Sequence, residues 1–108
     1  MQTGDIVLIP FPFSGFSNVK IRPALVITET KDRHNDLVLC AISSQVSLIL
    51  SENEYIVQPD SLNNLRTESI IRVDRIFTMK KENVIAILGK LNVSQLKTFK
   101  TIFKSLVD

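Results

Sequence analysis

Length, composition and charge place this chain among small single-domain globular proteins. It has 108 residues, of which 44% are hydrophobic and 22% are charged, proportions that are ordinary for a domain of the commonest size. The formal net charge is +2 and the sequence pI is about 8.9, a bias that permits an anionic partner without demanding one. The sequence therefore predicts one domain over residues 1–108, with a core that needs no disulfide.

Cysteine usage and the N-terminus bear on the cellular compartment. A single cysteine, Cys40, allows no intramolecular disulfide, so nothing favours an oxidising environment. The N-terminal stretch MQTGDIVLIPFPF lacks a basic start and is broken by Pro10 and Pro12, which does not fit a signal peptide. No apolar run approaches the roughly 20 residues that span a bilayer. We therefore expect a soluble, cytoplasmic protein.

The first two thirds of the chain favour β-strands separated by polar loops. The segment DIVLIPF at 5–11 predicts a strand, and its prolines should end the strand or place it at a sheet edge. The segment SGFSNVK at 14–20 predicts a loop, and PALVIT at 23–28 predicts the second strand. Further strands are predicted at 37–43, 54–59, 69–77 and 84–88, the last of them closed by Gly89.

The hydrophobic period changes near the C-terminus. After Ser94, which predicts a helix N-cap, apolar residues have the spacing of one helix face: Leu96, Phe99, Ile102, Phe103 and Leu106. The lysines at 97, 100 and 104 lie off that face, and solvation explains them most simply. The sequence thus predicts a mainly β (α+β) fold, a small curled sheet or partly open barrel with a C-terminal helix over one opening.

Few side chains favour metal or nucleophilic chemistry. Cys40 lies within an apolar strand, His34 is the only histidine, and no pair of His or Cys has ligand spacing. The sequence has no glycine-rich phosphate loop and no nucleophile elbow. A magnesium site made of carboxylates alone stays open, although no motif favours one. We predict no metal site and no cofactor, and we interpret His34 as an exposed residue of a charged turn.

Arg22 is the first candidate for chemistry. Pro23 disfavours helical backbone at the residue before it, which gives the arginine a defined direction at the entrance of the second strand. A guanidinium is a planar, permanently charged donor that matches the geometry of a phosphate. The structural alternative is a surface ion pair with an acidic residue such as Asp5 or Asp74.

A second polar feature ends the third predicted strand. In CAISSQ, at 40–45, the hydroxyls of Ser43 and Ser44 and the amide of Gln45 are suitable donors to a phosphate or a base. The alternative is that they are ordinary residues of a strand-ending turn. If the strand of Arg22 lies beside the strand that ends at Ser43, these side chains form a compact anion site.

Five segments together resemble the MazF/PemK toxins, which are growth-inhibiting RNases of bacterial type II toxin–antitoxin systems. They are GDIVLIPFPFS at 4–14, KIRPALVI at 20–27, CAISSQ at 40–45, ESIIRVDRIFTM at 68–79 and LGKL at 88–91. Their order and spacing match the family, and the resemblance covers essentially the whole chain. It implies an SH3-like, partly open β-barrel of five to seven strands with a C-terminal helix, and a homodimer.

The resemblance also implies an activity, that of a metal-independent endoribonuclease (an mRNA interferase) that uses the ribose 2′-hydroxyl of single-stranded RNA as its nucleophile. The family's catalytic arginine falls on Arg22, and its partner threonine falls on Ser43. Serine keeps the hydroxyl and lacks the methyl group that stiffens the threonine rotamer. We assign Arg22 to electrostatic stabilisation of the phosphate, because a guanidinium stays protonated in proteins and is a poor general base.

Further side chains extend this interpretation to RNA binding. Lys20 adds attraction for phosphates, and Phe16 either stacks on an unpaired base or folds back onto the core. Asp74 and Arg75 match a polar pair of the family, which either reads RNA or helps to form the dimer; otherwise they are solvated charges. The expected RNA-binding residues are Ser14, Phe16, Lys20, Ser44, Gln45, Asp74 and Arg75.

The resemblance implies a protein partner as well. We expect a cognate antitoxin to place an acidic or amphipathic segment over residues 14–20, where it would block RNA. The loop SGFSNVK departs from the GSEQ-like motif of the best-known members and is closer to PemK-like relatives. Two alternatives to an RNase stay open, a non-catalytic toxin of the same barrel like those that poison DNA gyrase, and an inactive nucleic-acid-binding module. Arg22 and the hydroxyl of Ser43 favour the RNase.

Overall fold

The computed structural model of the protein describes residues 1–12 and 19–108. Within these residues the strands are β1 (Asp5–Pro12), β2 (Val19–Glu29), β3 (Asp36–Ser43), β4 (Glu54–Val57), β5 (Ser69–Lys80) and β6 (Ala86–Lys90). A short 3₁₀ turn (Lys81–Asn83) follows β5, and the helix α1 (Val93–Ser105) follows β6. The strands form one antiparallel sheet in the order β4-β5-β3-β2-β1-β6, curled into a half-barrel. The predicted mainly β fold with a C-terminal helix is confirmed.

Prolines lie where β1 and β2 have only one neighbouring strand. The pairing of β6 with β1 covers residues 5–8 of β1, so Pro10 and Pro12 lie beyond it. The pairing of β3 with β2 begins at Ala24, so Pro23 also lies beyond it. Proline has no N–H to donate and is tolerated at such edges. Strand β1 ends at Pro12, as one of the two predicted outcomes requires, whereas the strand as a whole lies between β2 and β6 and is not an edge strand.

Strand β2 begins earlier than the sequence predicts. Lys20, expected in a loop, lies opposite Phe11 of β1, and Arg22 lies opposite Ile9. The loop prediction over 14–20 is therefore wrong at its C-terminal end, because pairing with β1 overrides the local polar composition. As a result, Arg22 is mounted within a paired strand and not at the entrance of one.

The ends of the later strands also shift. Strand β4 stops at Val57, before the predicted end at Pro59, and β5 continues to Lys80. Strand β6 starts at Ala86 and continues through Gly89, which was expected to close it. A glycine is needed within this strand because the backbone of residues 62–63 approaches Gly89 closely.

Each face of the sheet carries its own buried cluster. The larger cluster includes Ile6, Leu25 and Ile71 and is covered by Phe99 of α1. The smaller cluster is made by alternate residues of the strands, namely Val7, Ile9, Ala24, Val26, Leu37 and Leu39. Side chains two residues apart on a strand share a face, so Arg22 continues the row of Ala24 and Val26. The smaller cluster therefore ends in a cation at the open part of β2.

Helix α1 is capped by Asn92. The Asn92 side chain accepts a hydrogen bond from Gln95 N (2.8 Å), and the Gln95 side chain accepts one from Asn92 N (3.0 Å), which is a capping box. The prediction of Ser94 as N-cap is wrong, because the apolar period starts one turn into the helix. The predicted apolar face is confirmed by Phe99, which is buried. In the described part of the chain, no helix has the length and hydrophobicity to cross a membrane.

Candidate functional site

Two adjacent cavities share Arg22. The first, of about 470 Å³, lies between β2 and the segment 65–69 and includes Lys20, Arg22, Ser44, Arg66 and Thr67 in its lining. The second, of about 350 Å³, lies between the ends of β1, β3 and β5, and its lining includes Phe11, Arg22, Ser43, Arg72, Arg75 and Phe77. We call the two cavities together the groove.

The sheet register brings Arg22 and Ser43 together. Ala24 of β2 lies opposite Ala41 of β3, so the same register continued by two residues places Arg22 across from Ser43. Both side chains line the second cavity. The strand of Arg22 therefore lies beside the strand that ends at Ser43, as the predicted anion site requires.

Aromatic rings support the Arg22 guanidinium. Its Cζ lies 5.9 Å from the centroid of the Phe11 ring, and that ring lies 6.3 Å from the Phe77 ring at a tilt of 60°. A cation over an aromatic face is attracted by the ring quadrupole, which restricts where the guanidinium can lie. The carboxylates considered as ion-pair partners have other contacts: Asp5 accepts from Gln2 N, and Asp74 accepts from the side chain of Asn53.

A backbone hydrogen bond orients the Ser43 hydroxyl. The Ser43 Oγ accepts from Gln45 N at 3.1 Å. A hydroxyl has one donor and two acceptor sites, so the O–H of Ser43 stays available to donate to a ligand. This contact supplies some of the rotamer restriction that the missing threonine methyl would give. Ser44, the first residue after β3, lines the first cavity.

The groove concentrates positive charge. Its lining includes Lys20, Arg22, Arg66, Arg72 and Arg75, and within the described residues no Asp or Glu lines either cavity. The whole chain has 13 basic and 11 acidic residues and a net charge of only +2. The basic side chains in the groove therefore show that positive charge is unevenly distributed over the protein. A concave surface lined by charges of one sign focuses the electrostatic field and attracts the opposite charge.

Arg72 is oriented from outside the groove. Its Nε lies 3.3 Å from Glu54 Oε2 of β4, and both side chains are partly buried. The contact is an ion pair by distance, although Nε makes no hydrogen bond within the described residues. Sequence reasoning missed Arg72, despite one available signal: it is a charged residue within the otherwise buried run SIIRV that opens β5.

Other predicted site residues have different positions. Ser14 and Phe16 lie outside the described residues. Asp74 is exposed beside Asn53 and lines neither cavity, whereas its neighbour Arg75 lines the second. Gln45 contributes its backbone N–H to Ser43, and its side chain is exposed. His34 is exposed, as expected.

Comparisons with known proteins agree with this architecture. The chain is similar to the Mycobacterium tuberculosis toxin MazF-mt6 (20% identity over 96% of both chains, TM-score 0.72). It is similar to a MazE–MazF structure from Deinococcus radiodurans (18% identity, 99% of this chain and 95% of that chain, TM-score 0.73). A third similar structure is an endoribonuclease in complex with its cognate antitoxin from a mycobacterial species (16% identity, 99% and 94%, TM-score 0.72).

At these identities the solved structures establish a shared fold, and no curated protein sequence matches the chain. The family itself is shown by a match along the sequence. The family model described as PemK-like, MazF-like toxin of type II toxin-antitoxin system matches residues 2–107, almost the whole length. The chain therefore belongs to the family of PemK-like, MazF-like toxins of type II toxin–antitoxin systems.

Proposed function

We propose that this protein is an endoribonuclease toxin that cleaves single-stranded RNA through the ribose 2′-hydroxyl without a metal ion. The observation that carries the proposal is the groove, where five cations converge with Ser43 and no carboxylate of the described residues lines the cavities. The positive charge of the groove complements the negative charge of an RNA phosphodiester backbone. Family membership supports the toxin role, and one similar structure is that of an endoribonuclease.

The reaction requires little covalent chemistry from the protein. RNA carries its own nucleophile next to the phosphorus, so positioning and charge stabilisation can supply most of the rate. The 2′-oxygen bonds to phosphorus while the bond from phosphorus to the 5′-oxygen breaks. The 2′-hydroxyl loses its proton, and the departing 5′-oxygen gains one. The products carry a 2′,3′-cyclic phosphate and a 5′-hydroxyl.

Arg22 and Ser43 have complementary roles in this scheme. The Arg22 guanidinium binds non-bridging phosphate oxygens through two parallel N–H groups and stabilises the negative charge that grows in the transition state. The Ser43 O–H, whose acceptor side is occupied by Gln45 N, donates to a phosphate oxygen. Both groups lie on neighbouring strands of the sheet, which gives the fixed mounting that such catalysis needs.

The rest of the second cavity suits a flanking nucleotide. Phe11 and Phe77 offer ring surface, and every base has a face that stacks on an aromatic ring. Arg72 and Arg75 lie in the same lining and add charge for the neighbouring phosphates. This combination favours an unpaired strand, because bases within a duplex cannot reach a protein ring.

Incubation of the purified protein with a labelled single-stranded RNA in EDTA tests the proposal. Cleavage with 2′,3′-cyclic phosphate and 5′-hydroxyl ends is expected, and preparation of Arg22→Ala in parallel excludes a contaminating RNase. Growth inhibition in cells without cleavage of any RNA would favour the non-catalytic toxin. Absence of both effects would favour the inactive binding module.

A homodimer is part of the proposal. The family resemblance implies one, and the chain exposes large aliphatic side chains, among them Ile21, Leu48, Ile49 and Ile87. Such side chains are costly to leave in water when they cluster and commonly mark an interface. Light scattering at micromolar concentration should give twice the mass of one chain, and a stable monomer would contradict the dimer.

A cognate antitoxin is the proposed protein partner, and the cytoplasm the proposed site of action. One similar structure is a complex of an endoribonuclease with its cognate antitoxin, and another is a MazE–MazF structure. We expect an acidic or amphipathic antitoxin segment to compete with RNA for the groove and to cover residues 14–20, of which 14–18 lie outside the described residues. Hydrogen exchange of the complex checks the placement, and tight binding that leaves 14–20 unprotected would contradict it.

A further inference from the structure

The first cavity has a wall that the mechanism above does not use. One side of the cavity is β2, with Lys20 and Arg22, and the other side is the segment 65–69 that leads into β5. Leu65 and Leu88 add apolar surface to the lining. The cavity therefore extends from Arg22 toward a part of the chain for which the family motifs in the sequence predict no role.

Close backbone contact fixes this wall to β6. A Cβ atom on Gly89 would lie 2.2 Å from Leu62 O, so only glycine fits where the segment crosses the strand. Lys90 N donates to Leu62 O at 3.0 Å, and Asn64 Nδ2 donates to Leu88 O at 2.8 Å. These contacts hold the residues just before Arg66 against the edge of the sheet.

A fully buried asparagine shapes the same segment. The Asn63 Oδ1 accepts from Asp60 N (3.0 Å) and Leu65 N (2.9 Å), and its Nδ2 donates to Gln58 O (2.9 Å). A buried amide with its polar atoms satisfied in this way fixes the backbone on both sides of it. The direction in which the chain leaves Leu65 toward Arg66 is therefore set by the fold.

Asp60 connects the wall to the helix. Its Oδ1 accepts from Leu62 N (2.9 Å) and its Oδ2 accepts from the side-chain amides of Asn92 (3.1 Å) and Gln95 (3.3 Å), the two residues of the α1 capping box. Hydrogen bonds from N–H donors, of which the one from Asn63 N has the largest effect, hold the pKa of Asp60 below its usual range. The carboxylate thus stays charged and keeps the wall anchored at neutral pH.

The lining of the first cavity has the chemistry of a nucleotide site. Lys20, Arg22 and Arg66 supply positive charge, and the hydroxyls of Ser44 and Thr67 are exposed beside them. Glu68 follows Thr67 in the sequence but does not line the cavity, and its carboxylate accepts from the side chain of Gln58. An apolar surface with a few convergent polar groups is typical of pockets that bind a flat ligand moiety.

We infer that the first cavity is a specificity subsite for the nucleotide adjoining the phosphate that Arg22 holds. Arg66 binds the next phosphate of the strand, and the Thr67 hydroxyl bonds to an edge of the base, which lies over Leu65 and Leu88. This inference rests on the proposed RNA cleavage for its substrate. The anchored wall and the hydrogen bond from Ser69 Oγ to Thr67 O (2.9 Å) hold the backbone of Thr67, and a hydroxyl on a held backbone can favour some base edges over others.

A binding assay tests the phosphate contact separately from catalysis. The probe is a single-stranded oligonucleotide with 2′-deoxyribose throughout, which lacks the proposed nucleophile. Arg66→Ala should weaken binding by about tenfold at low salt, and the slope of log K against log salt should fall by about 0.7, the value for one phosphate contact on a single strand. Arg33→Ala removes the same charge from an exposed turn outside the groove and should change neither quantity.

Digestion of a randomised RNA pool, followed by sequencing of the cut ends, tests the base contact. Thr67→Val should alter the base frequencies at one position next to the cut, whereas Thr98→Val, on the exposed side of α1, should not. A shifted frequency at that position in Thr67→Val supports the subsite. Frequencies that match those of the wild type in Thr67→Val overturn the role of Thr67.

The two proposals fail in different ways. A wild-type protein that cuts no RNA overturns the proposed function, while the salt slope of Arg66→Ala still decides whether the cavity binds a phosphate. An Arg66→Ala protein that matches Arg33→Ala in both affinity and slope overturns the subsite, even if the wild type cuts RNA. Thermal melts by circular dichroism confirm that each variant is folded.

Discussion

Two regions of this molecule are rich in positive charge, and only one of them is organised as a site. On α1, Lys97, Lys100 and Lys104 lie on an exposed side of the helix, where they line an open depression together with Val93 and Leu96. In the groove, five cations lie on β2, on β5 and on the loop that precedes β5. Both regions are positively charged, and they differ in the groups that surround the charged side chains.

The hydroxyl groups show the difference. On α1, Thr98 Oγ1 donates to Ser94 O and Thr101 Oγ1 donates to Lys97 O, so both O–H groups are used by the helix backbone. In the groove, Ser43 Oγ accepts a backbone N–H, which leaves its O–H for a ligand. A phosphate at the groove would meet converging donors already held in place, whereas α1 offers mobile ammonium groups in water. Convergence, more than the number of charges, distinguishes the two.

The largest effect should come from Arg22→Ala, which removes the central cation of the groove. RNA cleavage should fall by about 10²-fold or more, because a preorganised donor aimed at the transition-state charge is lost. Arg22→Lys should also lose most activity, since an ammonium lacks the planar fork. The measurement is the single-turnover rate on a labelled RNA in EDTA, with Lys100→Ala as the matched loss of one charge on α1.

Folding must be checked in the same variant. Arg22 is partly buried over the Phe11 ring, and its removal opens no large cavity, so we expect a change in unfolding free energy of about 1 kcal/mol. If Arg22→Ala loses activity only because it unfolds, Arg22 is a structural residue. If it is folded and cuts as fast as the wild type, the assignment of the site to the groove is wrong.

Ser43 should show a smaller effect. Ser43→Ala removes one neutral hydrogen-bond donor and leaves Gln45 N without its acceptor, and we expect a loss in cleavage rate of about tenfold. Ser43→Thr keeps the hydroxyl, adds a methyl that restricts its rotamer, and should keep the activity. The same single-turnover assay measures both variants. A Ser43→Thr protein as slow as Ser43→Ala would contradict the role assigned to this hydroxyl, because threonine keeps the group that alanine lacks.

Asp60, which links the groove wall to α1, predicts a dependence of stability on pH. Its pKa is lowered in the folded protein, so its contribution is present above the unfolded value of about 3.9 and is lost as the pH falls through the lower folded value. Asp60→Asn cannot accept from all its amide partners and should melt at a lower temperature than the wild type at pH 7. The gap between the two melting temperatures should narrow at pH 3, and a gap that widens there would contradict this role.

The smallest effect should come from α1. Simultaneous replacement of Lys97, Lys100 and Lys104 by alanine removes three charges, yet these side chains are exposed and distant attraction is screened by salt. We expect RNA cleavage within about twofold of the wild type at 0.15 M salt. A loss approaching that of Arg22→Ala in the same assay would show that the helix face is part of the RNA path and would remove the contrast between the two regions.

Much of the fold could be predicted because each element has a local signal. The strands are short runs of β-branched and apolar residues, and the helix has the period of Phe99, Ile102 and Leu106. Arg22 and Ser43 were noticed as polar residues at a strand start and a strand end, and the family resemblance supplied their roles; they lie close together because β2 and β3 are consecutive, neighbouring strands. That two consecutive strands are neighbours can thus be predicted from the sequence, although the exact ends of those strands cannot.

The rest of the groove depends on contacts between distant segments. Arg66 reaches the first cavity because Asn63 and Gly89 hold its segment against β6, and no local pattern around residue 66 reveals this. The start of β2 at Val19 likewise follows from pairing with β1 and overrides a loop-like composition. The N-cap at Asn92 was missed because the apolar spacing begins only at Leu96.

The central claim is that the groove cleaves RNA through the 2′-hydroxyl of the substrate, and a pair of substrates tests it most directly. One is a single-stranded RNA with a mapped cut, and the other is the same RNA with a single 2′-deoxyribose on the 5′ side of that cut. Single-turnover rates in EDTA should show cleavage of the first and none of the second at that position. Equal cleavage of both substrates would contradict the account.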